Sequence, residues 1–289
     1  MVLKNNNKMI ISIASGKGGT GKTTVAVNIA LSLAENEEVQ LIDCDVEEPN
    51  VHIFLKPEIT ERKKAFIPVP DIDKEKCIYC GKCAKACEFN AIAILPDNFM
   101  LFKELCHGCG LCTMVCPENA ITEKNREIGV IEKGISDGIE FVHGTLNIGE
   151  AMSSPLISAV KDEIDRDKTV IIDAPPGAAC PVIETLHASD YCILVTEPTP
   201  FGLYDLKIAV ELLEKLKIPH GVIINRDGIG NIETEKFCNE KKIPILLKIP
   251  YDKRIAELYS KGIPFVPEMP EWKNKFKEIF EKIKYEKRK

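Results

Sequence analysis

Two sets of residues in this 289-residue chain have the types and spacing to do chemistry. The first is Gly16-Lys17-Gly18-Gly19-Thr20-Gly21-Lys22-Thr23-Thr24. It fits G-x-x-x-x-G-K-[ST], with Gly16 and Gly21 in the glycine places and Lys22 and Thr23 closing the pattern. Glycines let backbone N–H groups curl around phosphates. Lys22 is placed to reach the β and γ oxygens and Thr23 to reach a Mg²⁺ ion, while a following helix adds positive potential at its N-terminus. The second set is eight cysteines in two runs, Cys77, Cys80, Cys83, Cys87 and Cys106, Cys109, Cys112, Cys116. Each run reads C-x-x-C-x-x-C-x-x-x-C, a spacing that wraps three thiolates around one face of an iron–sulfur cluster. Paired C-x-x-C units can also bind structural zinc, although zinc sites seldom use four cysteines at this spacing.

The bulk properties fit those two chemistries and exclude others. Twelve cysteines without a secretory leader point to metal rather than disulfides. Met1 to Met9 is polar and lysine-bearing, and Ile10 to Ala14 is too short for a signal core. No apolar run approaches the length of a membrane span. A formal charge of −6 gives no general basic balance, so a nucleic-acid partner is not expected. The expected setting is a reducing, oxygen-poor cytoplasm.

The elements that must hold these residues follow from pattern. Ile10 to Ser15 reads as a buried strand ending at the glycine loop, Thr23 to Glu35 as a helix, and Val39 to Ile42 as a strand ending in Asp43-Cys44-Asp45. Lys56 to Lys64 is charged, and Pro68 and Pro70 interrupt the chain, which sets a boundary near residue 66. Residues 71 to 123 carry the cysteines with little room for a core, and metal bonds must replace it. This stretch is an internal repeat: Cys77-Ile-Tyr-Cys80-Gly-Lys-Cys83 is echoed by Cys106-His-Gly-Cys109-Gly-Leu-Cys112, and Asn90-Ala91-Ile92 by Asn119-Ala120-Ile121. Beyond residue 124 strands and helices alternate again. Strands are expected at Val170–Asp173, Cys192–Thr196, Gly221–Asn225 and Ile245–Ile249. Helices are expected at Leu156–Asp165, Leu206–Leu216, Glu235–Glu240 and Arg254–Lys261. The fold class is α/β, a mostly parallel sheet covered by helices, with a small α+β module inserted. The domains are 1–66 and 125–289 for the nucleotide domain and 67–124 for the insertion.

The cysteine module resembles a bacterial-type ferredoxin with two [4Fe–4S] clusters. That resemblance assigns Cys77, Cys80, Cys83 and Cys116 to one cluster and Cys106, Cys109, Cys112 and Cys87 to the other. Pro117 follows Cys116 as in the usual run, whereas Glu88 follows Cys87. The glycine loop, with its early Lys17, resembles the deviant Walker A loop of the MinD/ParA/nitrogenase-iron-protein class of P-loop ATPases. The resemblance implies ATP and Mg²⁺ held by Gly16 through Thr24, and an ATP-dependent homodimer in which Lys17 reaches the partner subunit's nucleotide. It implies that Asp45 positions the attacking water and Asp173, in Asp173-Ala-Pro-Pro-Gly177, holds the Mg²⁺ shell. Asn225 looks like the residue that reads adenine, and Pro250 lies in a loop resembling the one closing over the base. Asp43 either assists catalysis or hydrogen-bonds the loop.

Weaker signals keep two readings each. Cys180 matches the place of a cluster-bridging cysteine in the nitrogenase iron protein, but its companion is missing near Gly149 to Ser153. It is either a packed residue near a dimer face or a thiol that meets a partner. Cys44, Cys192 and Cys238 look like packing residues. Glu271 to Lys289 carries Trp272, Phe276, Ile279, Phe280 and Ile283 on one helical stripe with a lysine-rich opposite face. It is either a last helix packed on the sheet or a membrane-surface helix. The leading functional expectation is an ATPase that couples a nucleotide-driven dimer switch to electron transfer, with an unidentified redox or metalloprotein partner. The alternatives are an iron–sulfur or metallocofactor maturation and carrier ATPase, and a MinD/ParA-like positioning ATPase.

Overall fold

The computed structural model describes residues 8–287. Met1 to Asn7 of the polar leader, and Arg288 and Lys289 of the C-terminal stretch, lie outside the described residues. In chain order the strands are β1 (Ile10–Ala14), β2 (Val39–Asp43), β3 (Glu58–Ile72), β4 (Ile92–Ile94), β5 (Phe99–Leu101), β6 (Ile121–Ser136), β7 (Ile139–Leu146), β8 (Thr169–Asp173), β9 (Tyr191–Thr196), β10 (His220–Asp227) and β11 (Ile245–Pro250). The helices are α1 (Lys22–Leu33), α2 (Val51–Leu55), α3 (Lys82–Ala86), α4 (Leu111–Met114), α5 (Ser154–Lys161), α6 (Cys180–Leu186), α7 (Pro200–Leu216), α8 (Glu233–Lys241), α9 (Lys253–Ser260), α10 (Phe265–Glu268) and α11 (Glu271–Lys287).

The chain divides into two units. One comprises Met1–Arg62, Ile131–Thr145 and Ile157–Lys289; the other comprises Lys63–Val130 and Leu146–Leu156. The first is built on a sheet of order β11-β10-β9-β1-β8-β2-β7-β6-β3. From β11 to β7 every pairing is parallel. β1, β2, β8 and β9 are buried at every position, as strands covered on both faces must be. One face packs Ile11, Ile13, Leu41 and Ile171 against Val25 and Ile29 of α1 and the apolar stripe of α11. The other packs Ala14, Leu194 and Val222 against Val182 of α6, Leu206 and Leu213 of α7, and Cys238 of α8.

The stripe of α11 is spent on this core. Trp272, Phe276, Ile279, Phe280 and Ile283 are all buried. Part of the lysine face is occupied too: Lys273 and Lys277 reach Glu35, and Lys284 reaches Glu37 at 2.9 Å. The packed reading of this helix therefore replaces the membrane-surface one. Among the described residues no helix is long and apolar enough to cross a membrane.

Three strands depart from sequence expectation. The charged stretch around Lys56 to Lys64 is not a break but the start of β3, which runs on through Pro68 and Pro70. β3 is the sheet's edge, where a missing N–H costs no ladder bond and exposed charges discourage pairing with other chains. β6 and β7 form a hairpin closed by Asp137 and Gly138, both left-handed at φ 48° and 76°. β6 then lies beside β3, with Thr60 donating to the Lys133 carbonyl at 3.4 Å.

The second unit has its own two-stranded antiparallel sheet, β4 with β5. Around the cysteines a small cluster packs Cys83, Ile92 and Ile121, flanked by Ile72, Ile94, Leu101 and Val115. It also takes in Leu146–Leu156, which the sequence boundaries place in the nucleotide domain. Asn147 N–H donates to the Ile128 carbonyl at 2.9 Å, and Arg126 pairs with Glu150, which fastens that segment.

Phe276 is fully buried. Phe276→Ala should lower unfolding free energy by about 3–5 kcal/mol in urea titration. Lys273 and then Lys277 hold the Glu35 carboxyl down from 4.5 to about 2. A depressed carboxylate stabilises the fold in full above its unfolded value and ceases to do so as pH falls through its folded value. Glu35→Gln should therefore flatten the loss of stability between pH 4.5 and about 2, measured by thermal melts across that window.

Candidate functional site

The sheet order decides which strand ends meet. β8 lies between β1 and β2, and Asp173 is in register with Ile13 on one side and Asp43 on the other. The C-terminal ends of the three strands thus converge, the place where open parallel sheets bind ligands. The glycine loop leaves β1 here and enters α1. Gly19 and Gly21 take φ 77° and 96°, left-handed values that favour glycine. A Cβ on Gly16 would collide with the Asp205 carbonyl. Gly21 caps α1 without any side-chain acceptor, so the first-turn N–H groups remain available to an anion.

A cleft of about 340 Å³ opens beside the loop. Gly18, Gly19, Gly21, Lys22, Thr23, Thr24, Asp45, Asn225 and Pro250 all line it. Asp173 lies behind Thr23, whose hydroxyl donates to Asp173 Oδ2 at 2.6 Å. Asp173 Oδ1 and the Thr20 hydroxyl are buried with no partner. Burial drives the Asp173 carboxyl up to about 7, against the pull of Thr23 and Lys22. A buried carboxylate beside a hydroxyl, with one oxygen unclaimed, has the chemistry of a hard-cation site. Burial likewise raises Asp45 to about 6, and Lys22 opposes it.

Asp43 has a different task. It is fully buried and accepts from the N–H groups of Asp45 at 3.0 Å, Asn50 at 2.9 Å and Val51 at 3.0 Å. These bonds hold the loop that presents Asp45, the hydrogen-bonding role that was one of its two sequence readings. Burial, then the nearby Asp173, holds its carboxyl well above the usual range.

Lys17 does not line the cleft. Its ammonium pairs with Glu197 at 3.4 Å. Asn225 lines the cleft, but its amide already donates to the Thr20 carbonyl at 2.8 Å and accepts from Arg226 N–H at 2.9 Å. In this structure it braces the loop. Cys180 is exposed at the start of α6, and Cys44, Cys192 and Cys238 are buried packing residues. Burial pushes the Cys238 thiol up to about 11.

The eight cysteines of the second unit gather around two cavities. Cys77, Cys80, Cys83 and Cys116 line one; Cys87, Cys106, Cys109 and Cys112 line the other. The repeat is visible in the backbone. Tyr79 and Gly108, Gly81 and Gly110, and Asn90 and Asn119 are left-handed at matching places. Ala91 N–H donates to Cys87 Sγ at 3.4 Å, and Ala120 N–H to Cys116 Sγ at 3.3 Å. Burial raises the thiols of Cys83, Cys106 and Cys112, so any ligation there must displace protons. Among the described residues no three His, Cys, Asp or Glu side chains are gathered closely enough to hold a single metal ion.

Sequence reasoning missed Glu197 and Arg226. Glu197 directly follows the apolar strand β9 and precedes Pro198-Thr199-Pro200, and a lone carboxylate in that position was the available signal. Arg226 lines the nucleotide cleft.

Comparison with known proteins follows the same lines. An uncharacterized protein of Methanocaldococcus jannaschii is 34% identical over 89% of this chain and 91% of that one. An iron-sulfur cluster carrier protein of the same organism is 26% identical over 94% of this chain and 83% of its own length. The septum site-determining protein MinD of Pyrococcus horikoshii OT3, solved with Mg-ADP, shares the fold. Its TM-score is 0.56, over 96% of this chain and 95% of that one, at 23% identity. Residues 11–265 match the CbiA family, the CobQ/CobB/MinD/ParA nucleotide binding domain, and the chain belongs to that family.

Proposed function

We propose that this chain is an ATP-hydrolysing iron–sulfur protein in which a nucleotide-driven dimer switch is coupled to electron transfer through two [4Fe–4S] clusters to a redox partner. The observation that carries this reading is the sorting of eight cysteines into two sets of four, each drawn from both runs, on a chain that also bears the phosphate loop. Two all-cysteine sets at C-x-x-C-x-x-C-x-x-x-C spacing suit cubane clusters better than zinc ions. When bound, such clusters accept and release single electrons. Four cysteines per set leave every iron with a protein ligand, which favours electron transfer over release of the cluster.

At the other site, Lys22 would bind the β and γ phosphates, with Thr23 and Asp173 holding Mg²⁺. The ion would neutralise charge on the phosphate oxygens. Asp45, facing the cleft, would orient the attacking water. Asn225 and Pro250 would flank the base. Lys17, outside its own cleft, is free of intramolecular phosphate duty and suits a role across a homodimer. The Asp45 segment continues directly into α2 and β3, so movement at the cleft has a covalent route towards the cysteine unit. A carrier or maturation ATPase is the second reading, favoured by likeness to the iron-sulfur cluster carrier protein.

Three measurements test this. Anaerobically reconstituted protein should hold about eight irons per chain, and Cys83→Ser or Cys106→Ser should each remove roughly half of them. Zinc in place of iron would reject the cluster reading. Asp45→Asn should lower ATP turnover by about 10²-fold or more with nucleotide affinity retained. EPR-monitored potentials should differ between nucleotide-free protein and protein with a non-hydrolysable ATP analogue. Identical potentials, together with transfer of intact clusters to an apo-acceptor, would favour the carrier.

A further inference from the structure

Glu197 holds two cations at once. Its side chain is only 8% exposed at the end of β9. Lys17 Nζ stands 3.4 Å from Oε2, and Arg226 Nη1 donates to Oε1 at 2.5 Å. The carboxylate is firmly mounted. Thr196 Oγ1 donates to the Gly202 carbonyl at 3.0 Å, and Thr199 Oγ1 accepts from Gly202 N–H at 3.0 Å, fastening the turn that follows β9 to the start of α7. Arg226 is held as well, in a left-handed conformation at φ 54° with its N–H on Asn225 Oδ1. The two pairings are unequal. The Arg226 contact is a short charge-assisted hydrogen bond, whereas the Lys17 contact lies beyond ordinary hydrogen-bond length.

We propose that Glu197 is a positioning residue that retains Lys17 on its own subunit until the phosphates of a second, nucleotide-loaded copy draw it away. The inference rests on the reading of Lys17 as a residue that acts across a homodimer. A buried carboxylate stripped of every partner is strongly disfavoured. Here Arg226 stays when Lys17 leaves, so the carboxylate never stands alone. Glu197 therefore sets how much nucleotide is needed to assemble the dimer, and Arg226 weakens its hold on Lys17 by sharing the charge.

The two residues predict opposite effects. The reconstituted full chain would be titrated with Mg²⁺ and a non-hydrolysable ATP analogue, and its dimer fraction read by sedimentation velocity. Glu197→Gln should lower the analogue concentration for half-maximal dimer by about fivefold. Arg226→Gln should raise it, because Lys17 is then the sole partner of the buried charge. In a Lys17→Ala background, which removes the finger, neither substitution should change dimerisation. A fluorescent nucleotide binding to that background should report unchanged affinity for Glu197→Gln. A purely structural role would not give opposite signs that both vanish with Lys17. Because Arg226 also lines the cleft, the fluorescent-nucleotide affinity of Arg226→Gln is measured too, and its dimer midpoint is read relative to that affinity. Should Glu197→Gln fold poorly, Arg226→Gln, at a side chain 49% exposed, carries the test on that corrected midpoint. If both variants match the parent, or shift the same way, while the parent's dimer still requires Lys17, the clasp is wrong and the dimer reading stands. If the parent forms no Lys17-dependent dimer, the dimer reading fails and the clasp with it.

Discussion

Asp43 and Asp173 stand side by side in register on neighbouring strands, both buried, at the end of the sheet where the glycine loop turns. Two carboxyl groups so placed repel one another and resist ionisation, and the local architecture answers that constraint. Asp43 is satisfied by three backbone N–H groups and so fixes the loop bearing Asp45. Asp173 is half-satisfied by the Thr23 hydroxyl and left with one bare oxygen. Against these carboxylates the cleft sets Lys22, Arg226 and the uncapped start of α1. A polyanion bound with its cation would complete this electrostatic arrangement.

The second unit meets a different constraint. Around the cysteines the apolar cluster is Ile92 and Ile121 with Ile72, Ile94, Leu101 and Val115. A cluster of that size does not stabilise a fold by burial alone. Left-handed residues at three matching pairs of positions bend the two halves alike, and N–H groups point at sulfur at the same place in each. The backbone is shaped to present thiolates more than to enclose a core.

Much of this was legible in sequence because it is local. Continuous apolar runs marked β1, β2, β8 and β9, since strands covered on both faces need no alternation. The glycine loop marked its own strand–turn–helix setting. Cysteine spacing marked the two cavities. The missed parts are those set by pairing at a distance. β3 carries too much charge to resemble a strand and is one because β6 accepts it as an edge. Asp137-Gly138, the two-residue turn that joins β6 to β7, was not singled out in the sequence. Glu197 and Arg226 are separated by the whole of α7, and nothing short of the fold brings them together with Lys17. Asn225 was legible as a cleft residue, whereas its grip on Thr20 depends on how β10 meets the loop.

β3 and β6 are hydrogen-bonded neighbours, and they are also the strands that carry the chain out to the cysteines and back. Topologically, everything from Asp73 to Ala120 is the tip of one very large β-hairpin. Closing a loop costs entropy that grows only with the logarithm of its length. A stem already zipped by the sheet is thus nearly indifferent to what it carries. Such a stem is a natural point of grafting, where a short turn could be exchanged for a longer excursion without re-inventing the enclosing fold.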